Sequence, residues 1–409
     1  MKRKTFYITA IIFAVITGVL LKIFLTDDGY GRKASRIVLS LPAQTGKAGI
    51  YLCGSGKARI DWGDKARKDC VLTAEWTCYE HTYFDSTKMR DINITGLNIE
   101  GLNCSGNSLT NINIGKNSAL KHLNCENNRL TSLPVNKSSA LTDLICGDNR
   151  ISIIDLTKNS DLKYFDCRNN RMNALELSKN VELEVLILSN NSLSALDLSK
   201  NTALQILECS KNQLTLLDIS KNRDLESVHC SNNGIVTLYT GKNPLLIELD
   251  CSFNRINSLN LGKNVDLQYL NCSNNRLSAL NVASDSLLTE LNCYNNILES
   301  IDLSNNTALK TLNCGANRFA ALNLSKNSAL TEFECSNNNL KSLDLSANCA
   351  LQNVSFGNNN LSVSALNAIF KSLHGNSTEN GTKAVWIDNN PGVNGCDKSI
   401  ATDKGWSFN

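Results

Sequence analysis

The 409-residue sequence lacks an excess of charge of either sign, since 41 lysines and arginines against 38 aspartates and glutamates leave a formal +3. The basic residues return at regular intervals instead of forming a block, which argues against nucleic acid as a partner. Recognisable chemistry is also missing. Histidine occurs four times, and no set of nucleophile, base and orienting group, no metal-ligand spacing and no phosphate-cradling glycine loop stands out. Neither a cofactor nor a bound metal is expected. A Leu-Pro-x-Thr-Gly sorting signal is absent, and no cysteine follows the N-terminal apolar run to take a lipid.

What is present is a period. From Leu102 to Leu361 the pattern Leu-x-x-Leu-x-Cys-x-x-Asn-x-Leu-x-x-Leu-x-Leu-Ser-Lys-Asn returns every 21 residues, Leu120 to Asn136 being one copy. Cys104, Cys125, Cys146, Cys167, Cys209, Cys230, Cys251, Cys272, Cys293, Cys314 and Cys335 fall on it, with Leu188 and Phe356 in the other two slots. So short a period means a solenoid, each repeat being one turn that cannot bury its apolar side alone. Thirteen turns about 4.8 Å apart give a rod on the order of 60 Å long.

One asparagine never varies within the chain: it stands three residues after each Cys slot, from Asn107 to Asn359. An amide donates and accepts at once, so an inward asparagine satisfies backbone groups left unpaired at a corner. A second, less strict ladder includes Asn117, Asn159, Asn180, Asn201, Asn222, Asn243, Asn264, Asn306, Asn327 and Asn348. The cysteine ladder itself has three readings. Metal binding needs ligands that converge on one point, and these are strung along a line. Disulfides between turns need Cβ atoms about 3.8 Å apart, whereas in-register strands hold them near 4.8 Å. Packing is the third, with cysteine as a compact buried hydrophobe, and it is the one expected.

At the N-terminus, Lys2, Arg3 and Lys4 precede an apolar run from Phe6 to Leu25 that is interrupted at Lys22. About 20 residues suffice to span a bilayer, and the leading basic residues place the start on the cytoplasmic side. Residues 1–30 are read as a signal anchor or a signal peptide, with residues 6–25 as the membrane contact. The rest then lies outside the cytoplasm, in the cell envelope or secreted.

Residues 33–96 are free of the repeat and alternate in short runs, Arg36 to Leu41, Ala48 to Cys53, Ala58 to Trp62, Cys70 to Trp76 and Ile92 to Ile94, as in a small β-sandwich-like domain. The stretch Ile60-Asp61-Trp62-Gly63-Asp64, followed by Tyr79-Glu80-His81-Thr82-Tyr83, resembles the signatures of polycystic-kidney-disease-like (PKD-like) domains. Lys65 stands where that pattern has a turn glycine. In the resembling domains, residues matching Asp61, Asp64 and His81 make turns and pin strands. Cys53, Cys70 and Cys78 lie off the ladder, and in an oxidising compartment two of them can pair.

Residues 97–361 resemble the leucine-rich repeat family through Leu-x-x-Leu-x-Cys/Leu-x-x-Asn-x-Leu, and the second half, Leu-x-Leu-Ser-Lys-Asn, is similar to a 21-residue class of bacterial surface proteins. The resemblance implies a mainly β chain, a right-handed leucine-rich repeat solenoid of parallel strands with few helices, preceded by the small β domain. It also implies a non-enzymatic scaffold that binds a protein or glycan through its exposed strand face. Residues 362–409 form a C-terminal cap, with Ser362 or Ser364 starting a helix through Leu373 and a strand at Ala384 to Ile387.

On each first strand the residues beside Leu and Cys point outward. Tyr164, Val185, Ile187 and Ile206 are expected to form an exposed apolar patch around the Leu188 substitution. Further on the face turns acidic with aromatics interleaved, at Glu248, Asp250, Tyr269 and Tyr294. The chain is read as an exported, membrane-anchored, monomeric binding protein. Its alternatives are a structural spacer or adhesion stalk, and an envelope enzyme with a site outside the repeats.

Overall fold

Strands of three residues are too short to persist alone, so the described architecture depends on how each is tied to the next. The computed structural model describes residues 34–376 and 382–408. The apolar run at 6–25 lies outside them, and no helix among the described residues is long and apolar enough to cross a membrane. Ser35–Asn409 form one compact unit.

The chain enters through antiparallel strands β1 (Ser35–Leu41), β2 (Lys47–Asp61), β3 (Arg67–Leu72), β4 (Thr77–Thr82) and β5 (Arg90–Asn103). Two expected strands, Ala48 to Cys53 and Ala58 to Trp62, are one. β2 bends at bulges between Cys53 and Gly54 and between Ser55 and Ala58. Gly54 has φ 146°, and a Cβ there would sit 2.1 Å from the Asn98 carbonyl. The bend lets β2 pair with β3, β4 and β5.

The turn residues act as struts. Asp61 and Asp64 accept from the Gly63 and Ala66 N–H groups at 3.0 and 3.1 Å. His81 stacks on Trp62 with centroids 5.2 Å apart and meets Asp64 at 2.7 Å through Nε2. Lys65 occupies the left-handed region at φ 78°.

β5 leads straight into the solenoid, because its end, Gly101–Asn103, pairs in parallel with β7 (His122–Asn124), while the intervening β6 (Asn111–Asn113) pairs with β1. Twelve three-residue strands from β7 to Asn353–Ser355 stack in parallel, each residue beside the one 21 further on, as Leu186 is beside Leu207. Lys383–Trp386 and Trp406–Phe408 continue the sheet. The inward Leu and Cys positions are almost wholly buried.

The first asparagine ladder holds these turns together. Asn254 Nδ2 donates to the carbonyls of Cys230 and Cys251 at 3.0 and 3.1 Å, and its Oδ1 accepts from the Ile235 N–H at 3.0 Å. With the Ser252 carbonyl, 3.1 Å from Nδ2, one side chain pairs four backbone groups on two turns, and an alanine leaves them unmade at about 1–3 kcal/mol for each buried group. The residue before each ladder asparagine has positive φ, and it is itself asparagine at 127, 169, 190, 232, 274, 295, 337 and 358, a type that tolerates that region.

The second half of each turn, for instance Leu217 to Ile219, has the apolar alternation of a second strand. Among the described residues such a strand forms at Asn111–Asn113, which pairs with β1, and at Leu216–Asp218 and Thr237–Tyr239, which pair with each other. Elsewhere side chains replace the ladder: Asn264 Nδ2 donates to the Thr240 and Asn243 carbonyls at 3.1 and 2.7 Å, and Asn264 N–H closes a turn on Leu261 at 2.9 Å.

The C-terminal cap follows its expected outline. Helix α1 (Val363–Ser372) starts at Ser362, whose hydroxyl accepts from the Ala365 N–H. Its end is held from a distance, since Lys404 Nζ donates to the carbonyls of Phe370 and Leu373 at 3.1 and 2.6 Å. Trp406 is 2% exposed, and its indole N–H donates to the His374 carbonyl.

Two consequences can be measured. Asp285 takes a rung of the second ladder, is fully buried, and its Oδ2 has no partner among the described residues. By register it faces the Leu261 and Asn264 carbonyls, to which an asparagine would donate. Burial raises its carboxyl to about 6, opposed weakly by the Ser284 hydroxyl. Its unfolded value is near 3.9, so the folded form holds the proton more tightly and stability falls as pH rises from about 4 through 6, by on the order of 3 kcal/mol. Asp285→Asn should therefore raise the denaturation midpoint at pH 7.5 and flatten its dependence between pH 4.5 and 7.5; an unchanged profile contradicts this.

All sixteen cysteines are free thiols, the ladder ones fully buried. Desolvation pushes Cys104, Cys209 and Cys293 up to about 12. Since the thiolate is the reactive form, exposed Cys78 and Cys349 should label first in native protein at pH 8. The ladder should label after unfolding, and rapid native labelling of the ladder is the contrary result.

Candidate functional site

The outward positions of the stacked strands form two columns. One runs Tyr164, Val185, Ile206, Ser227, Glu248, Tyr269, Glu290, Thr311, Glu332, Asn353, and the other Asp166, Ile187, Glu208, His229, Asp250, Asn271, Asn292, Asn313, Glu334, Ser355, Trp386. The face changes character along its length.

Toward the N-terminus it is closed on itself. Lys121 pairs with Glu100 and Lys163 with Glu184, both at 2.8 Å, and His122 Nδ1 meets Asp143 at 2.6 Å. Asp166 is 1% exposed because the Arg168 guanidinium folds back on it, with Nε 2.9 Å from Oδ2. That pair holds the arginine charged despite its partial burial. Trp76 lies against Gly101, where a Cβ would come within 2.5 Å of the indole.

The expected exposed apolar patch is not there. Tyr164 and Val185 are each 8% exposed and Ile187 is 2% exposed, while Ile206 is half-buried. Equivalent side chains on neighbouring strands lie about 4.8 Å apart, so bulky groups in succession cover one another. Exposed apolar groups occur elsewhere, at Leu216 and Tyr239 of the second arm and at Phe253. Each was visible as a break in the repeat: Tyr239 stands where most turns carry Asp or Asn, and Phe253 where most carry Asn.

Toward the C-terminus the face opens. Glu248 keeps 43% of its side chain exposed, 3.6 Å from His229 Nε2. Burial alone would lower the His229 imidazole, but the hydrogen bond to Glu248 and the charges of Glu208, Asp250 and Glu248 outweigh it and raise it. Tyr269 and Tyr294 are half-buried, and burial pushes the Tyr269 phenol up to about 12.

Part of the second column is structural. Asp250 Oδ1 accepts from the Ser252 N–H, as Asn292 does from Tyr294 and Glu334 from Ser336, at 3.0, 3.1 and 2.8 Å. These side chains cap the turn after their strand. At the far end Thr311, Asn313, Glu332, Glu334, Asn353, Ser355 and Trp386 line a groove of about 420 Å³ floored by Leu312, Phe333 and Val354. Trp386, Glu332 and Glu334 thus join the site; the tryptophan was missed because it lies beyond the repeat and enters the sheet through the cap. No group of His, Cys, Asp or Glu suited to a metal ion occurs among the described residues.

No protein-family model and no curated protein matches the chain. Among solved structures it is similar to the functional domain of InlJ from Listeria monocytogenes, itself described as including a cysteine ladder. The two are 28% identical over 74% of this chain and 77% of that one, with a TM-score of 0.53. A leucine-rich repeat protein of Leptospira interrogans gives 20% identity over 75% and 83%, with a TM-score of 0.64. The plant peptide hormone receptor RGFR1, solved in complex with RGF2, gives 20% over 71% and 51%, with a TM-score of 0.57. The fold is a leucine-rich repeat solenoid.

Because Val185 and Ile187 are packed groups, Val185→Asp with Ile187→Lys should lower the denaturation midpoint through buried unpaired charge. A variant as stable as the parent would show that these side chains are exposed after all.

Proposed function

We propose that this chain is an exported binding protein that recognises another protein through the open, C-terminal part of its strand face. The observation that carries the reading is the change along the two outward columns. Early turns carry the Lys121–Glu100, His122–Asp143, Lys163–Glu184 and Arg168–Asp166 pairs, whereas from Glu248 onward the columns carry partly exposed carboxylates beside half-buried tyrosines and end at a groove. Exposed aromatic and charged side chains on a rigid scaffold are what recognition uses. Glu248, Asp250, Tyr269 and Tyr294 are the contact residues in this reading, whereas Tyr164, Val185, Ile187 and Ile206 lie on earlier turns of the same face, the first three buried and Ile206 half-buried.

The peptide hormone complex of the plant receptor is a precedent for this fold holding a protein ligand. The basic start and apolar run at residues 6–25 support export and attachment to a membrane, with residues 33–96 as a PKD-like cap on the first turn. A glycan ligand and a pure spacer are the competing readings.

The test screens the full chain against arrays of surface proteins and glycans beside two double variants. Glu248→Lys with Tyr294→Ala should weaken protein binding tenfold or more, while Leu216→Ala with Tyr239→Ala on the second arm should leave it unchanged. The opposite pattern would place recognition on the second arm, and no protein bound at all would favour the spacer.

A further inference from the structure

Taken along both outward columns from Ile206 to Trp386, the strand face carries six carboxylates, Glu208, Glu248, Asp250, Glu290, Glu332 and Glu334, and neither column holds a lysine or arginine, while Lys310 stands just before Thr311 of the same row. The whole chain is +3, so this stretch runs against its own background. The carboxylates also have a spacing. In the first column Glu248, Glu290 and Glu332 alternate with Tyr269 and Thr311, one glutamate on every second turn. At about 4.8 Å per strand, successive glutamates lie about 9.6 Å apart in one straight row.

A polyproline II helix rises about 3.1 Å per residue with three residues per turn, so every third side chain projects from one face at intervals of about 9.3 Å. The two periods agree within a few tenths of an ångström. The row ends at the groove, whose lining includes Glu332, Glu334 and, two strands beyond Glu334, the half-buried Trp386. Carboxylates next to an aromatic face are the surroundings that hold a lysine or arginine by charge and by cation–π attraction.

We propose that the C-terminal turns take an extended, polyproline-II-like segment of a partner protein, laid across the strands, with a lysine or arginine at every third residue. Successive basic side chains meet Glu248, Glu290 and Glu332, and the last lodges between Glu332, Glu334 and Trp386. This rests on the reading of the strand face as a protein-recognition surface and adds the chemistry and spacing of what it recognises.

The probe is a fluorescein-labelled peptide, (Lys-Pro-Pro)4, measured by anisotropy on the full chain beside an isomer of equal composition with its four lysines in one block. The matched peptide is expected to bind at least tenfold more tightly than the block. Glu290→Gln should bring the two within about threefold of each other without moving the denaturation midpoint, and Glu332→Gln should do the same from the end of the row. Equal affinities for the two peptides, or a preference that survives both substitutions, overturns the proposal, as does binding of a neutral oligosaccharide with neither peptide bound. If the peptides fail while a protein from the surface screen still depends on Glu248 and Tyr294, this inference falls and the broader reading stands.

Discussion

The hydrogen bonds of the first asparagine ladder are what the rest of the molecule depends on. A three-residue strand offers too few ladder bonds to define a turn. Each inward asparagine adds bonds that cross to the turn before, to a cysteine carbonyl and to a backbone N–H two residues past the preceding ladder asparagine. This fixes the corner, and the corner fixes the register of the next strand. Leucine and cysteine then fill a core whose dimensions are already set, which is why Leu188 and Phe356 can take a cysteine slot and stay wholly buried.

Once register is fixed, the outward columns follow as straight rows, and their chemistry depends on which residue each turn contributes. In the early turns long basic side chains reach carboxylates on the same or the next turn, as Lys163 reaches Glu184 and Arg168 reaches Asp166. In the later turns carboxylates accumulate in the columns themselves, with His229 beside Glu248 and with Lys310 at the position that Lys163 holds earlier. His229 is the single titratable cation among Glu208, Glu248 and Asp250, and its raised affinity for a proton reflects that company.

The repeat made most of the fold legible. Both asparagine ladders, the inward cysteines as packing and a helix start at Ser362 or Ser364 were local patterns, and the structure takes Ser362. Burial on the strand face was not legible, because it depends on side chains 21 residues away in sequence: Val185 looks exposed on its own strand and is covered by its neighbours on the flanking strands. The second arm misled for a related reason, since asparagine side chains supply the bonds that a strand ladder would have supplied. Trp386 and Lys404 act through the cap, where no period points to them. The acidic, aromatic character of the later turns was legible, whereas the two-turn spacing of the glutamates required the register.

In the proposed function the ladder makes the scaffold and the outward columns carry recognition. Hydrogen–deuterium exchange on the full chain, with and without a bound protein partner, tests it most directly. Slowed exchange should be confined to Glu248–Asp250, Glu290–Asn292 and Glu332–Glu334, with Leu216–Asp218 and Thr237–Tyr239 unchanged. Protection at the second arm, with the strand face unaltered, would contradict it.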